Sequence, residues 1–263
     1  MAINLNLICK ELYSLSQNTR EYILSARKKL DKDGIHFKGA TDLVSDIDIE
    51  AEKKLVSGLK TILPEAGILA EEGHNNWEKG GLFWIVDPID GTTNFIHGIP
   101  CFAISIALMD KGEIILGIVH ELSRDEFFSA IKDGPALLND IPINIRDNNH
   151  LIECLIATGF PYDQEMDLNA YINIMTEIVK NTRGIRRLGS AAIDLAYVAA
   201  GRFDAFYEIK LNPWDVAAGA FIVQRAGGKV SDFKGGADYI FGKSIVAGNE
   251  IGLNYLLQLC KSY

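Results

Sequence analysis

Between Ile68 and Ile131 the hydrophobic residues stop recurring at helical spacing and gather into short apolar runs, which commits the chain to a fold built around a sheet. Ile68-Leu69-Ala70, Phe83-Trp84-Ile85-Val86, Phe102 to Met109, Glu113 to His120 and Glu126 to Ile131 all read as strands. Asp110-Lys111-Gly112 separates two of them as a tight hairpin turn, so neighbours in this sheet run antiparallel. Helical periodicity precedes the sheet. Leu5, Ile8, Leu12, Leu15, Tyr22, Ala26 and Leu30 form a first stripe, with Gly34 as its C-cap. A polar loop, Lys38 to Asp42, leads to a second helix over Ile49 to Ile62, and Pro64 lies just beyond it.

From Leu151 the pattern alternates. A strand at Cys154 to Thr158 is followed by helices at Glu165 to Asn181 and Ser190 to Ala200. Then come a strand at Ala205 to Ile209, a helix at Asp215 to Ala226, short strands at Lys229 to Ser231 and Ile245 to Ala247, and a closing helix at Asn254 to Leu259. The polar stretch Arg146 to His150 is the natural boundary. It divides an α+β subdomain, residues 1–145, from an α/β subdomain, residues 146–263, the two forming one compact unit. A site is expected where such halves meet.

Composition excludes several classes. Acidic residues outnumber basic ones, 35 against 26, for a formal charge of −9, which disfavours general binding to nucleic-acid backbones. Cys9, Cys101, Cys154 and Cys260 form no C-x-x-C pair and read as free thiols of a reducing cytoplasm. The N-terminus lacks the layout of a secretory leader, and no window approaches the roughly 18 apolar residues of a membrane span.

The most informative stretch is Trp84-Ile85-Val86-Asp87-Pro88-Ile89-Asp90-Gly91-Thr92-Thr93. Pro88 fixes its own φ and biases Asp87 toward extended backbone, so both carboxylates can be presented together at a strand end. Gly91-Thr92-Thr93 then offers successive N–H groups and hydroxyls, as an anion-holding turn or helix start does. Taken alone, two acids at this spacing read more readily as caps of a helix. Other acids change that reading. Glu71-Glu72 ends another apolar strand, Asp215 opens a helix after Trp214, and Asp46 and Asp48 flank Ile47 before the second helix. Carboxylates from separate elements, beside a Gly-Thr turn, are what divalent cations and a phosphoryl group require together.

These residues resemble the inositol monophosphatases, of the lithium-sensitive, Mg²⁺-dependent phosphatase superfamily. The resemblance is carried by Asp87-Pro88-Ile89-Asp90-Gly91-Thr92-Thr93-Asn94-Phe95 and Trp214-Asp215-Val216-Ala217-Ala218-Gly219. It is supported by Asp42 to Asp48, Glu71-Glu72, Thr158-Gly159-Phe160-Pro161, Arg187 to Ala192 and Ala226-Gly227-Gly228, spanning nearly the whole chain. It implies a layered αβαβα sandwich like that of the inositol and fructose-1,6-bisphosphate phosphatases. It implies hydrolysis of a small phosphomonoester, inositol monophosphate first, with fructose 1,6-bisphosphate, other sugar phosphates and nucleotide phosphates as alternatives. Two or three Mg²⁺ ions per site are implied, held by Glu71, Asp87, the Ile89 carbonyl, Asp90 and Asp215, with Asp87 shared. Thr92, hydrogen-bonded to Asp48, would orient the attacking water, with Glu71 also catalytic. Gly91 and Thr92 would hold the phosphate, while Asp90, Ala191, Glu208 and Asp215 would line the substrate. Lys38 would lie on a loop closing over the metals. Relatives are commonly homodimers, and some bacterial ones are associated with the transcription machinery, which leaves a regulatory protein as the rival reading.

Remaining polar residues read as structural. His97 and His120 sit in no metal-ligand spacing, and hard Mg²⁺ prefers oxygen. Arg183, Arg186 and Arg187 read as solvated or salt-bridged, and Trp214, Tyr197 and Phe203 as packing. Ala70 stands where many relatives have Gly, and Asn212-Pro213 lies where relatives differ, so the substrate's identity rests on this region and on Glu208.

Overall fold

The computed structural model describes residues 3–29, 35–37, 43–148, 150–160 and 168–261. Helix α1 (Leu5–Arg27) begins at Asn4, whose Oδ1 accepts from the Leu7 amide at 3.2 Å, and it buries Ile8, Leu12, Ser16, Thr19 and Ile23 along one stripe. The expected cap at Gly34 and the loop carrying Lys38 lie outside the described residues. Strands β1 (Ile35–Phe37) and β2 (Leu43–Ser45) pair antiparallel and lead into α2 (Asp46–Ile62). This helix starts three residues before the expected Ile49, because Asp46 and Asp48 occupy its first turn, where carboxylates complement the helix dipole.

A seven-stranded sheet follows in chain order: β3 (Gly67–Ala70), β4 (Leu82–Asp90), β5 (Ala103–Asp110), β6 (Glu113–Glu121), β7 (Glu126–Ile131), β8 (Ala136–Leu138) and β9 (Ile141–Pro142). Only β3 and β4 are parallel. The β5–β6 hairpin turns on Lys111 and Gly112, with φ of 51° and 88°, the pair of positive values a type I′ turn needs. The short strands β8 and β9 left no periodic trace in the sequence. Helix α3 (Thr92–His97) connects β4 to β5.

Both faces of this sheet are buried, which is why its strands read as unbroken apolar runs. Trp84, Val86, Ile104 and Ile106 pack against α1 and α2. Phe83, Ile85, Ala103 and Ala107 face the opposite layer, formed by α5 (Ala191–Ala199) and α6 (Pro213–Arg225). Those two helices also cover a second sheet, of order β11-β10-β12-β14-β13. Its strands are β10 (Leu155–Thr158), β11 (Gly184–Arg186), β12 (Ala205–Ile209), β13 (Lys229–Ser231) and β14 (Ser244–Gly248). Strand β10 is parallel to both neighbours, and the other pairs are antiparallel. Helices α4 (Leu168–Asn181) and α7 (Glu250–Cys260) lie on its outer face around Tyr171, Tyr207 and Leu256. The result is an αβαβα sandwich. Helix α7 starts four residues before the expected Asn254, with Asn249 Oδ1 accepting from the Gly252 amide at 2.8 Å. Among the described residues no helix is long and apolar enough to cross a membrane.

Candidate active site

The acidic turn is part of the sheet. Strand β4 runs through Asp90, and its register with β5 slips between Asp87 and Asp90, around Pro88, which has no N–H to offer the ladder. Asp87 continues the row of Phe83 and Ile85, so it points toward α5 and α6. The slip brings Asp90 to the same layer: its Oδ2 accepts from Ser190 Oγ at 2.6 Å and from the Ala192 amide at 2.7 Å, at the start of α5. Asp215 is the third residue of α6, which begins at Pro213 rather than at Asp215 itself, and its Oδ2 accepts from the Asn212 amide at 2.6 Å. Two elements, β4 and α6, thus deliver one cluster, in which a carboxylate oxygen of each of the three aspartates lies within 4.8 Å of the others.

The cluster repels itself. Burial holds the Asp87 carboxyl well above the usual carboxylate range, and the charges of Glu71, Asp90 and Asp215 raise it further. Asp215 is raised in the same way, by burial first and then by Asp90 and Glu71. Asp90 is pushed up to about 6 by burial, against the hydrogen bonds from Ser190 and the α5 amides and the charge of Arg187. The donors are all oxygen, with no histidine or cysteine among them. Such a set suits a hard divalent cation and not zinc.

Glu71 reaches this cluster through strand register. Ala70 pairs with Val86 in the parallel β3–β4 ladder, so Glu71 comes beside Asp87. The turn after it is held by Glu52 of α2, a buried acid that sequence reasoning missed. Glu52 accepts from the Glu72 amide at 2.5 Å, the His74 amide at 3.3 Å and His74 Nδ1 at 2.7 Å. Its signal was present: Asp48 and Glu52 stand four apart on the same face as Ala51, Leu55 and Leu59.

Thr92 opens α3. Its hydroxyl lies 3.1 Å from Asp48 Oδ1 and 3.0 Å from the Ile89 carbonyl. One hydrogen serves one acceptor well, so donation to Asp48 leaves the Ile89 oxygen available to another ligand. Gly91, the N-cap, has a φ of 96°, and a Cβ there would lie 3.0 Å from the Cys101 carbonyl and 3.1 Å from that of Gly189. Asn94 ties the turn down, donating from Nδ2 to the Cys101 and Leu188 carbonyls at 2.8 Å each.

A second group of acids borders the first. Glu208 on β12 is 9% exposed, and its carboxyl is pushed up to about 8, by burial first and then by Asp90, against Arg187. Asp194 on α5 is buried, its Oδ1 has no hydrogen-bond partner, and its carboxyl is also held well above the usual range. Arg187, read from the sequence as a solvated charge, is the cation that opposes all three of Asp90, Asp194 and Glu208. It sits 5.5 Å from the centre of the Phe160 ring. Ala191 is the first residue of α5, one position from the amide that caps Asp90. His120 is buried away from this chemistry, between Ser16 Oγ at 3.1 Å and Asp125 Oδ1 at 3.0 Å.

The chain's likeness to known proteins agrees with this geometry. A sequence model of the inositol monophosphatase family matches residues 5–262. The Nus factor SuhB of Pseudomonas aeruginosa is 42% identical over 239 residues, 89% of this chain and 88% of that one. An inositol-1-monophosphatase of Mesorhizobium japonicum is 41% identical over 228 residues, 86% of each chain. The crystal structure of the extragenic suppressor protein SuhB of Bartonella henselae superposes with a TM-score of 0.90 at 38% identity, covering 97% of this chain and 98% of that one.

Proposed function

The chain belongs to the inositol monophosphatase family, and on that premise we propose that it hydrolyses a small phosphomonoester, with inositol monophosphate its first substrate. One observation carries the reading: three aspartates, two from the end of β4 and one from the start of α6, converge beside the Gly91-Thr92 turn. Glu71, Asp87, the Ile89 carbonyl, Asp90 and Asp215 would hold Mg²⁺. Bound there, the ions supply a lowered pKa for water and neutralisation of charge on the ester.

The chain's own groups do the rest. Thr92 donates its hydrogen to Asp48, which leaves a lone pair to accept from the attacking water and fix its direction. The Gly91 and Thr92 amides hold phosphate oxygens at the start of α3. Asp90, the backbone at Ala191, Glu208 and Asp215 meet the hydroxyls of the alcohol. Lys38 is proposed for a loop over the site. The four free thiols fit a cytoplasmic enzyme. Self-association is proposed through α4, where Leu168, Ile172 and Val179 share one exposed stripe. The test is phosphate release from a panel of phosphomonoesters with Mg²⁺, with and without Li⁺. Release from inositol monophosphate above fructose 1,6-bisphosphate and nucleotide phosphates supports the reading. No release from any ester defeats it.

A second reading is favoured by the Nus factor name of the Pseudomonas relative: a regulatory association with the transcription machinery. Recovery of RNA polymerase on the immobilised protein, undisturbed by Asp90→Asn, would support that role alongside catalysis.

A further inference from the structure

The Glu208 carboxylate occupies a place that belongs to another residue's side chain. Strands β10 and β12 are parallel neighbours, with Thr158 opposite Tyr207. The next pair in register is Gly159 beside Glu208, with side chains on the same face of the sheet. A Cβ on Gly159 would lie 1.9 Å from Glu208 Oε1, 2.1 Å from Cδ and 2.2 Å from Oε2. These approaches are far inside van der Waals contact. The glutamate has folded back across the bare face of its neighbour.

We infer that Gly159 is a positioning residue, whose missing side chain forms the niche that aims the Glu208 carboxylate and so sets the preference for esters of polyhydroxy alcohols. The inference rests on the proposed phosphatase reading and deepens it.

Two features isolate this role. The φ of Gly159 lies outside the left-handed region, so alanine fits the backbone and only the niche is lost. The peptide is also pinned: the Gly159 carbonyl accepts from Tyr171 Oη at 2.6 Å. Strand β10 therefore cannot easily retreat. Glu208 is 9% exposed, so its carboxyl sits within the protein and not in solvent. A methyl group on residue 159 must move the carboxylate, and a buried carboxylate displaced by an ångström or more misses the hydroxyl it would bond.

The experiment uses the full-length protein with Mg²⁺ and two substrates, inositol 1-phosphate and p-nitrophenyl phosphate, which has no hydroxyl groups. In Gly159→Ala, kcat/KM for the polyol ester should fall by up to about tenfold relative to that for the aryl ester, the scale of one lost hydrogen bond. Glu208→Ala should cause the same shift in preference, and adding Gly159→Ala to it should cause no further shift. An unchanged ratio in Gly159→Ala, or additive shifts in the double variant, would overturn the inference. If Gly159→Ala fails to fold, Gly159→Ala/Glu208→Ala should fold, because the clashing group is gone. Failure of that double variant as well would show that the niche serves something other than Glu208. If the wild type cleaves neither ester, the phosphatase reading and the specificity claim fall. The same cycle in thermal melting then still reads the contact, with additive Tm changes refuting it.

Discussion

Two regions of this molecule concentrate charge, and they resolve it in opposite ways. At the rim of the first sheet, Glu126 accepts two hydrogen bonds from Arg202, each at 2.6 Å, and Arg202 lies 4.4 Å from the centre of the Tyr197 ring. That hydrogen-bonded guanidinium holds the Glu126 carboxyl below its usual range. Between the sheets, Asp87, Asp90 and Asp215 face one another, and each is held above its usual range. The rim completes its own charge balance; the interior cluster leaves it incomplete. A chain gains stability from the first arrangement and loses it by the second, so retention of the second marks a place where a cation from outside is expected.

The sharpest way to break this contrast is to remove one interior acid. Asp90→Asn or Asp215→Asn should lower kcat/KM for phosphate release roughly 1,000-fold or more, since a metal contributes several kcal/mol to the transition state and each 1.36 is a decade. Circular dichroism should show the fold intact. Near-normal turnover in either variant would place the metal elsewhere. A smaller loss, about 100-fold, is expected for Thr92→Val, which removes a single water-orienting hydroxyl. There the Asp48 contact at 3.1 Å disappears, and kcat should fall more than KM rises.

The two regions should also answer pH with opposite signs. Asp90 titrates at about 6 in the folded chain against 3.8 as a free group, and Glu208 at about 8 against 4.5. Raised values mean that the folded state binds these protons more tightly. Their stabilising contribution is full below about pH 4 and is lost as pH rises through 6 and then 8. In EDTA, therefore, Tm should fall between pH 5 and pH 8. Saturating Mg²⁺ should reverse that fall, by about 2.7 kcal/mol at a hundredfold excess over its Kd. A Tm in EDTA that is flat or rising over this interval would mean that the acids are compensated within the chain.

Much of this contrast was legible in the sequence. The period change near Ile68, the Lys111-Gly112 turn and the Asp87-to-Thr93 run located the sheet, one hairpin and the candidate ligands, because each is a local pattern. Glu52 and Arg187 escaped, although one stands four residues beyond Asp48 and the other opens the Arg-Leu-Gly-Ser run. Their importance comes from partners 20 or more residues away, the Glu72 amide for one and Asp90 for the other. The same holds for the Gly159 niche, which exists only because β10 and β12 are parallel neighbours. Strands of two or three residues, such as β8 and β9, carry too few side chains to register a period.

The smallest effect tests the other half of the contrast. Glu126→Gln keeps the size of the side chain and removes the charge that Arg202 meets. Burial at this pair is partial, with side chains 36% and 18% exposed, so solvent screens the attraction, and a loss of about 1 kcal/mol or less is expected. For a chain of this length that is a fall in Tm of about 2–4 °C. The Glu126 value is depressed, so its contribution is present above the free-group pKa near 4.5 and fades as pH falls below it. The wild-type advantage over Glu126→Gln should therefore shrink below pH 4, while phosphate release by the two proteins stays equal. An advantage that persists at pH 3 would trace to packing of the glutamate stem, and a fall in turnover would join the rim to the site.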